Sequence, residues 1–339
     1  MGFGVSALGY QLGEEVPVLD VAAEYTDDME RVRTYASRFM HRSAPGVGLT
    51  DLSYEATRKA LDGAGVRAGQ IDLLVLAVTD LTEYLYWDAA ASLLHRLGAD
   101  GAEAVLLTQA CSSGVAGFDL VAGKFATHPE YRTAVVVAAS RVAEPYWNRL
   151  ETGAGCFSDG AVAAVVRRDH DELRWRAGEI TTDGTHVDFF RLEAGGAAVP
   201  FGTPEAAAAP PRVGGIEDVK AYFANDTERI SAFGTHAREQ YRLVVERACK
   251  RAGIGFDDLH RLLLPFDNQP AMSGLISALG FPPERTNLAL AADYGHLGAA
   301  DPLFALAREA ESDTLRRGDH VALAAVGRGM SWACALFEV

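Results

Sequence analysis

The sequence predicts an α/β fold built from two similar halves. Short, continuous apolar runs of strand type, such as residues 71–76 and 134–139, alternate with helical segments, which is typical of parallel sheets covered on both faces. The same order of segments then occurs a second time along the chain. With 339 residues, of which 49% are hydrophobic, the chain can bury the large core that such a fold needs.

The duplication defines the elements expected in each half. The matching segments are residues 64–76 and 252–264, the strand and helix around Cys111 and those around His296, and residues 134–166 and 321–339. Residues 288–292 are therefore predicted as the strand before the His296 turn. Each half is predicted as helix, strand, strand–turn–helix, strand, turn and strand. The halves, residues 1–170 and 171–339, are expected to pack as layers of helix and sheet around a shared helical layer.

Charge and composition exclude several classes of function. The formal net charge of −15 argues against nucleic acid or an anionic membrane as the main partner. The N-terminus lacks a basic segment followed by an apolar run, and no apolar stretch approaches ~20 residues, so a cytoplasmic protein is expected. The four cysteines are far apart, and neither they nor the histidines show the spacing of a metal site.

Cys111 is the candidate nucleophile. It lies in a turn between the apolar strand 104–107 and a helix with apolar residues at helical spacing. Such a turn exposes the thiol, and the positive end of the helix dipole favours the thiolate there. Under the duplication, His296 occupies the equivalent turn, and a pseudo-twofold axis would bring imidazole and thiol together as base and nucleophile.

Two further segments have alternative interpretations. Residues 195–215 are rich in Ala, Gly and Pro and are predicted as a long inserted loop, either a lid over an acceptor site or a surface insertion. The aromatic runs at 84–87 and 146–147 fit the wall of an acceptor pocket, a dimer seam or ordinary core packing.

Four motifs give the chain a resemblance to a known family. They are residues 109–114 (Gln-Ala-Cys-Ser-Ser-Gly), 157–161 (Phe-Ser-Asp-Gly-Ala), 295–300 (Gly-His-Leu-Gly-Ala-Ala) and 327–332 (Gly-Arg-Gly-Met-Ser-Trp). Together they resemble the ketoacyl-acyl carrier protein synthase III branch of the thiolase superfamily. The resemblance implies a thiolase-like, five-layered αβαβα fold of two duplicated halves, a homodimer, and acyl transfer from coenzyme A or a carrier protein to Cys111. It implies no permanently bound cofactor, with acyl-coenzyme A as the donor substrate.

Two departures from this branch change the expected chemistry. Its condensing enzymes use Cys, His and Asn, but here Pro265 is followed by Phe266 and Asp267 with no histidine, and His296 replaces the asparagine. Decarboxylative condensation relies on two neutral donors to stabilise an enolate, which a carboxylate would repel. A histidine oriented by a carboxylate instead suits the activation of a hydroxyl. Asp267 is preferred as that carboxylate because of its place in the family pattern, and Asp301 is its rival.

The pattern therefore resembles the acyltransferase-like members of aromatic polyketide pathways, with the malonyl-transferring, cervimycin-type enzymes as the nearest match. The expected acceptor is a small-molecule hydroxyl, for example that of a glycosylated polyketide. The alternatives are a condensing or starter-unit loading enzyme, and a non-catalytic partner subunit of a ketosynthase. The resemblance also implies an oxyanion hole formed by the backbone N–H groups of Cys111 and Arg328. Four arginines are candidates for the coenzyme A phosphates: Arg31, Arg33, Arg38 and Arg149.

Overall fold

The computed structural model describes residues 2–151, 153, 155–208, 215–312 and 314–339. Its strands are β1 (Phe3–Leu12), β2 (Glu14–Pro17), β3 (Phe39–Arg42), β4 (Leu73–Val78), β5 (Glu103–Leu107), β6 (Thr133–Ser140), β7 (Gly160–Arg168), β8 (Arg174–Thr182), β9 (Leu259–Leu263), β10 (His320–Gly327) and β11 (Ser331–Glu338). Its helices are α1 (Val18–Val21), α2 (Met29–Tyr35), α3 (Leu49–Ala64), α4 (Ala89–Leu97), α5 (Ser113–Thr127), α6 (Pro204–Ala208), α7 (Gly215–Tyr222), α8 (Thr227–Ala252), α9 (Gln269–Leu279), α10 (Leu288–Tyr294) and α11 (Asp301–Glu311).

The main sheet consists of two half-sheets with the same topology. Its strand order is β5-β4-β6-β7-β1-β8-β11-β10-β9. In the first half β4 runs parallel to β5 and β6, and β7 is antiparallel to β6 and β1. In the second half β10 is parallel to β9, and β11 is antiparallel to β10 and β8. The two halves are joined by the pairing of Gly4 with Arg174. The strands β2 and β3 form a small separate sheet.

Helices cover both half-sheets and also separate them. The helices α5 and α11 contact strands of both halves, so they form the central layer. On the outer faces, α3 packs on β1, β6 and β7, and α8 packs on β8, β10 and β11. This arrangement confirms the predicted five-layered αβαβα architecture.

The duplication is incomplete at one strand. Residues 288–292, predicted as a strand, belong to helix α10, and the trace of a strand that remains is a parallel bridge between Leu262 and Thr286. The prediction was wrong because a short run of Leu and Ala suits a helix as well as a buried strand. Beside α10, the Asn287 side chain accepts from the Leu264 N–H at 2.9 Å and donates to the Leu264 carbonyl at 2.6 Å. These bonds do part of what a neighbouring strand would do for β9.

The inserted segment is partly helical. Within residues 195–215, the described part contains α6 and the first residue of α7, and residues 209–214 lie outside the described part. No helix of the described chain is both long enough and apolar enough to cross a membrane. Among the same residues, no group of histidine, cysteine and acidic side chains is arranged to hold a metal ion.

Candidate active site

Cys111 lies in a tight turn between β5 and α5. Ala110 and Ser112 belong with it to a single 3₁₀ turn, and Ala110 has a φ of 51°, in the left-handed region that non-glycine residues rarely adopt. The hydroxyl of Ser113 donates to the Ala110 carbonyl at 2.5 Å. That bond holds the sharp turn at the start of α5, which leaves the Cys111 side chain partly accessible.

The backbone of His296 is held by the segment before β7. Its N–H donates to the Cys156 carbonyl at 2.7 Å, and its carbonyl accepts from the Ser158 N–H at 2.9 Å. Gly295 has a φ of 62°, and a Cβ at this position would lie 2.7 Å from the same Cys156 carbonyl. Glycine is therefore required before His296, because this backbone passes too close for any side chain.

The structure brings Cys111, His296 and Asp301 into contact in that order. The Cys111 Sγ lies 3.3 Å from Nε2 of His296, and His296 Nδ1 lies 2.6 Å from Oδ2 of Asp301. The Nδ1–H does not point straight at this oxygen, so the contact is an ion pair and not a well-aligned hydrogen bond. The Asp301 carboxylate is fully buried and accepts from the backbone N–H groups of Leu297 at 2.6 Å and Phe266 at 2.8 Å. The duplicated turns thus meet as the sequence predicts.

The charges around His296 favour its protonated form. Burial opposes the imidazolium, but the charges of Asp301 and Cys111 and the contacts with both outweigh it and raise the pKa of His296 well above its usual value. A protonated His296 beside the Cys111 sulfur suits a thiolate–imidazolium pair. The imidazolium therefore lies next to the sulfur atom that is the candidate nucleophile.

The carboxylate against His296 is Asp301, and not Asp267 as preferred from the sequence. Asp301 begins α11 directly after the His296 turn, so its side chain folds back onto the imidazole. Asp267 follows β9 and lines the same cavity, where its carboxylate accepts from the Asn268 N–H at 2.8 Å. Burial raises the pKa of Asp267 to about 6, partly offset by the charge of His296. Asp267 therefore adds an acidic group to the cavity without contacting the imidazole.

The end of β10 closes the site beside the cysteine turn. A Cβ at Gly327 would overlap the Gln109 carbonyl and lie 2.5 Å from Oγ of Ser112, so only glycine fits. Both Gly327 and Arg328 line the cavity that contains Cys111. This position is compatible with the expected oxyanion hole, in which the Arg328 backbone N–H would join that of Cys111.

The cavity around Cys111 has a volume of about 210 Å³ and a largely apolar wall. Several of its residues were missed from the sequence: Thr79, Asp80, Val142, Phe157, Phe190 and Tyr241. Trp147, from the aromatic run 146–147, also lines it. Phe157 stacks on the His296 ring with centroids 4.8 Å apart, and its place in the 157–161 motif was the one available signal. The others come from separate elements, so sequence spacing alone could not group them.

A larger open cleft of about 790 Å³ adjoins this cavity and shares Val142 with it. Its lining includes Tyr84 and Leu85, Tyr146, and Gly195 and Phe201 of the inserted segment; Tyr146 and Phe201 pack with ring centroids 5.5 Å apart. The inserted segment and both aromatic runs therefore border the space next to the active site.

The four arginines predicted to bind coenzyme A differ in availability. Arg149 is fully buried, forms a two-point pair with Asp159 at 3.0 Å and contacts Glu144 at 2.6 Å, so its assignment is wrong. Arg31 pairs with Glu151 at 3.3 Å, and the largely exposed Arg38 pairs with Asp293 at 2.5 Å. Arg33 lies on helix α2 with its side chain at the surface. Nothing in the sequence indicates that Arg149 lies inside the fold.

Comparison with known proteins places the chain in a family. A family model for 3-oxoacyl-[acyl-carrier-protein] synthase III matches residues 107–184, and the model of its C-terminal part matches residues 249–339. A β-ketoacyl-[acyl-carrier-protein] synthase III from Gloeobacter violaceus is 32% identical over 303 residues, covering 86% of this chain and 84% of the relative. The chain belongs to the 3-oxoacyl-[acyl-carrier-protein] synthase III family. A further synthase III, from Microcystis aeruginosa, is 27% identical and covers 99% of this chain and 98% of its own.

Solved structures agree on the fold of this synthase III family member. The acyltransferase ChlB3 superposes with a TM-score of 0.86 at 23% identity and covers 100% of this chain and 98% of its own. The priming β-ketosynthase of the R1128 polyketide pathway superposes with a TM-score of 0.80 at 23% identity, and the match covers 99% of this chain and 96% of the ketosynthase. Membership of the synthase III family makes the chain an acyl-transferring enzyme of that type.

Proposed function

We propose that this enzyme moves a small, malonyl-like acyl group from a coenzyme A or carrier-protein thioester to Cys111, and from there to a hydroxyl acceptor. The observation that carries the proposal is the position of His296, which lies between the Cys111 sulfur and the buried Asp301 carboxylate. One histidine backed by a carboxylate is the arrangement that activates a hydroxyl for acyl transfer.

In the loading step, the Cys111 thiolate attacks the thioester carbonyl. The oxyanion is stabilised by the backbone N–H groups of Cys111 and Arg328. The new Cys111 thioester forms as the donor's carbon–sulfur bond breaks, and the departing thiolate takes the proton of the His296 imidazolium. The enzyme is left with an acylated Cys111 and a neutral His296.

In the transfer step, His296 acts as the base. Its raised pKa depends in part on the negative charge of Cys111, and acylation removes that charge. The neutral imidazole then accepts the proton of the acceptor hydroxyl through Nε2 as the oxygen attacks the acyl carbon. The ester forms, the Cys111 thiolate leaves, and the starting ion pair is restored.

Asp267 disfavours the alternative of decarboxylative condensation. With a pKa of about 6, its carboxylate is mostly ionised at neutral pH. Asp267 lines the cavity where an enolate would form, and its negative charge would repel that of the enolate. Condensation or starter-unit loading therefore stands as the second outcome of the test below, supported by the family membership.

The acceptor is proposed to approach through the 790 Å³ cleft. Its aromatic lining, including Tyr84 and Tyr146, suits a flat ring system with polar substituents, such as a glycosylated polyketide in an antibiotic-type pathway. Arg31, Arg33 and Arg38 remain the proposed contacts for the donor's phosphates, and Arg38 is more exposed than Arg31.

We also propose a homodimer that forms through β5. This edge strand pairs with β4 on one side only, and its residues are half-buried and mostly apolar. An apolar edge with unpaired backbone groups is a template for a second copy of the same strand. Light scattering behind size exclusion measures the mass directly, and Leu106→Lys should shift it toward the monomer.

Intact-protein mass spectrometry with a panel of acyl-coenzyme A thioesters tests the reaction. We expect an adduct that keeps the malonyl carboxyl and disappears in Cys111→Ala. The matched control is Cys249→Ala, because burial raises the pKa of Cys249 to about 11 and keeps that thiol unreactive. A panel of alcohols and aromatic glycosides should then discharge the adduct as esters. The absence of an adduct from every thioester would refute the proposal, and loss of carbon dioxide with carbon–carbon bond formation would favour the condensing alternative.

A further inference from the structure

The cavity that contains Cys111 is also lined by an arginine, Arg328. Arg328 is partly buried, and one of its N–H groups donates to the Thr79 carbonyl at 3.2 Å. In the described part of the chain, no carboxylate forms an ion pair with it. The fully buried Arg149, by contrast, forms a two-point pair with the Asp159 carboxylate. An arginine with open donors in a small cavity is therefore a candidate anion site.

Both acidic residues that line the cavity, Asp80 and Asp267, accept hydrogen bonds from backbone N–H groups. Asp80 accepts from the Ala143 N–H at 3.3 Å; burial raises its pKa, and the charge of Arg328 partly offsets that rise. Burial raises the pKa of Asp267, the charge of Asp301 raises it further, and the charge of His296 lowers it. The lining of the cavity thus includes the cationic Arg328 together with Cys111 and His296, and the rest of its wall is mainly apolar.

We propose that Arg328 binds the free carboxylate of a dicarboxylic acyl group while its thioester carbonyl lies at Cys111. This inference rests on the proposed function and specifies its donor as a half-thioester of a short dicarboxylic acid. A guanidinium matches a carboxylate with two parallel hydrogen bonds, which are strong where water is excluded. The cavity volume of about 210 Å³ suits a short chain between the two groups.

The same contact explains how the acyl group would keep its carboxyl. A carboxylate loses carbon dioxide more readily when it is desolvated without a partner, since its charge then passes to the adjacent carbon. Pairing with Arg328 stabilises the carboxylate before that step. Arg328 is accordingly assigned a specificity role toward the donor, and a protective role toward the acyl-enzyme.

The test compares acylation of Cys111 by malonyl-coenzyme A and by butyryl-coenzyme A. The butyryl group is similar in size to the malonyl group but carries no charge. The ratio of the two second-order rate constants should favour malonyl in the wild type and fall roughly 10- to 100-fold in Arg328→Gln, as expected for the loss of a charge-assisted pair. Arg328→Lys should give an intermediate ratio, because it keeps the charge but loses the two-point geometry. Arg58→Gln is the matched control, since Arg58 pairs with Glu55 and Asp62 on the surface of α3, and its ratio should equal that of the wild type.

The mass of the adduct gives a second readout. In Arg328→Gln, the fraction of adduct that has lost carbon dioxide should rise. Thermal unfolding of each variant checks that it is folded, and Arg328→Lys carries the test if the glutamine variant is not. An unchanged malonyl-to-butyryl ratio in the folded variants overturns the inference alone. A wild type that prefers butyryl overturns both the inference and the malonyl-like donor, and leaves only acyl transfer through Cys111 in place. Failure of both thioesters to acylate the wild type would overturn the proposed function and the inference with it.

Discussion

Replacing Asp301 by asparagine should slow acyl transfer from Cys111 far more than the same replacement of Asp267. Both residues are acidic and both lie near the catalytic cavity, so the two variants form a matched pair. Asp301 lies 2.6 Å from Nδ1 of His296 and is fully buried, whereas Asp267 has no direct contact with the imidazole. The comparison therefore asks which carboxylate supports the base.

The expected magnitude follows from the buried ion pair. Removing one partner of such a pair costs about 3–5 kcal/mol, because the remaining charge is left uncompensated. In the transfer step His296 gains a proton, so this cost falls on the transition state. Since each 1.36 kcal/mol in the barrier is a factor of ten in rate, transfer in Asp301→Asn should be slower by roughly 10²- to 10⁴-fold. Asp267→Asn should change it by less than about tenfold.

The assay is a single-turnover experiment in which Cys111 is first acylated and the acceptor is then added. Intact-protein mass spectrometry follows the loss of the acyl group, which separates transfer from loading. The pH dependence of transfer adds an independent check: without the Asp301 charge the pKa of His296 falls, and the rate profile should move to lower pH. A larger loss in Asp267→Asn than in Asp301→Asn would show that the geometry has been assigned to the wrong carboxylate.

Three further predictions concern stability and the shape of the site. Burial raises the pKa of Asp267 to about 6, so as the pH rises this group ionises in the unfolded chain before it ionises in the folded protein. The folded state therefore loses stability as the pH rises toward the folded-state pKa of about 6. Asp267→Asn should be more stable than the wild type by roughly 1–3 kcal/mol at pH 7.5, with no gain at pH 4, as measured by chemical denaturation. An equal gain at both pH values would contradict this origin. Gly327→Ala should cost about 1–3 kcal/mol and slow acylation by malonyl-coenzyme A, because its Cβ would overlap the Gln109 carbonyl; normal kinetics and melting would argue against that close approach. Arg149→Met should destabilise the protein by about 3 kcal/mol, since it removes the two-point partner of the buried Asp159 and leaves only the longer ion pair with Arg141 at 3.6 Å; an unaltered melting temperature would be inconsistent with the pair.

The repeat in the sequence predicts the two central partners of the site well. Cys111 and His296 are 185 residues apart, yet equivalent positions in a duplicated fold must meet near its pseudo-twofold axis. That argument needs only the order of the segments and not their packing, so it survives an incorrect strand at 288–292. The layered architecture follows for the same reason.

Side-chain direction and burial could not be predicted in this way. The choice between Asp267 and Asp301 depends on how α11 begins, because a residue at the start of a helix can turn its side chain back onto the preceding turn. From the sequence, Asp267 was expected at a strand end where the family supplies a catalytic group. The structure places it at that strand end, but the carboxylate against the imidazole is that of Asp301. The prediction that Arg149 binds coenzyme A was wrong for a related reason. An arginine is expected at the surface unless its buried partner, here Asp159, is known.

The two ends of the main sheet are not equivalent, and this difference bears on how many copies can join. At β9, the Asn287 amide occupies both backbone groups of Leu264, and the Arg285 guanidinium donates to the His260 carbonyl at 3.3 Å. At β5 no such cover exists among the described residues. A chain whose main sheet has one open edge, at β5, and one covered edge, at β9, can pair with a single second copy. The resulting dimer then has no open edge of this sheet. Its sheets should therefore stop growing at two copies, and light scattering at rising protein concentration should level off there instead of climbing toward fibres.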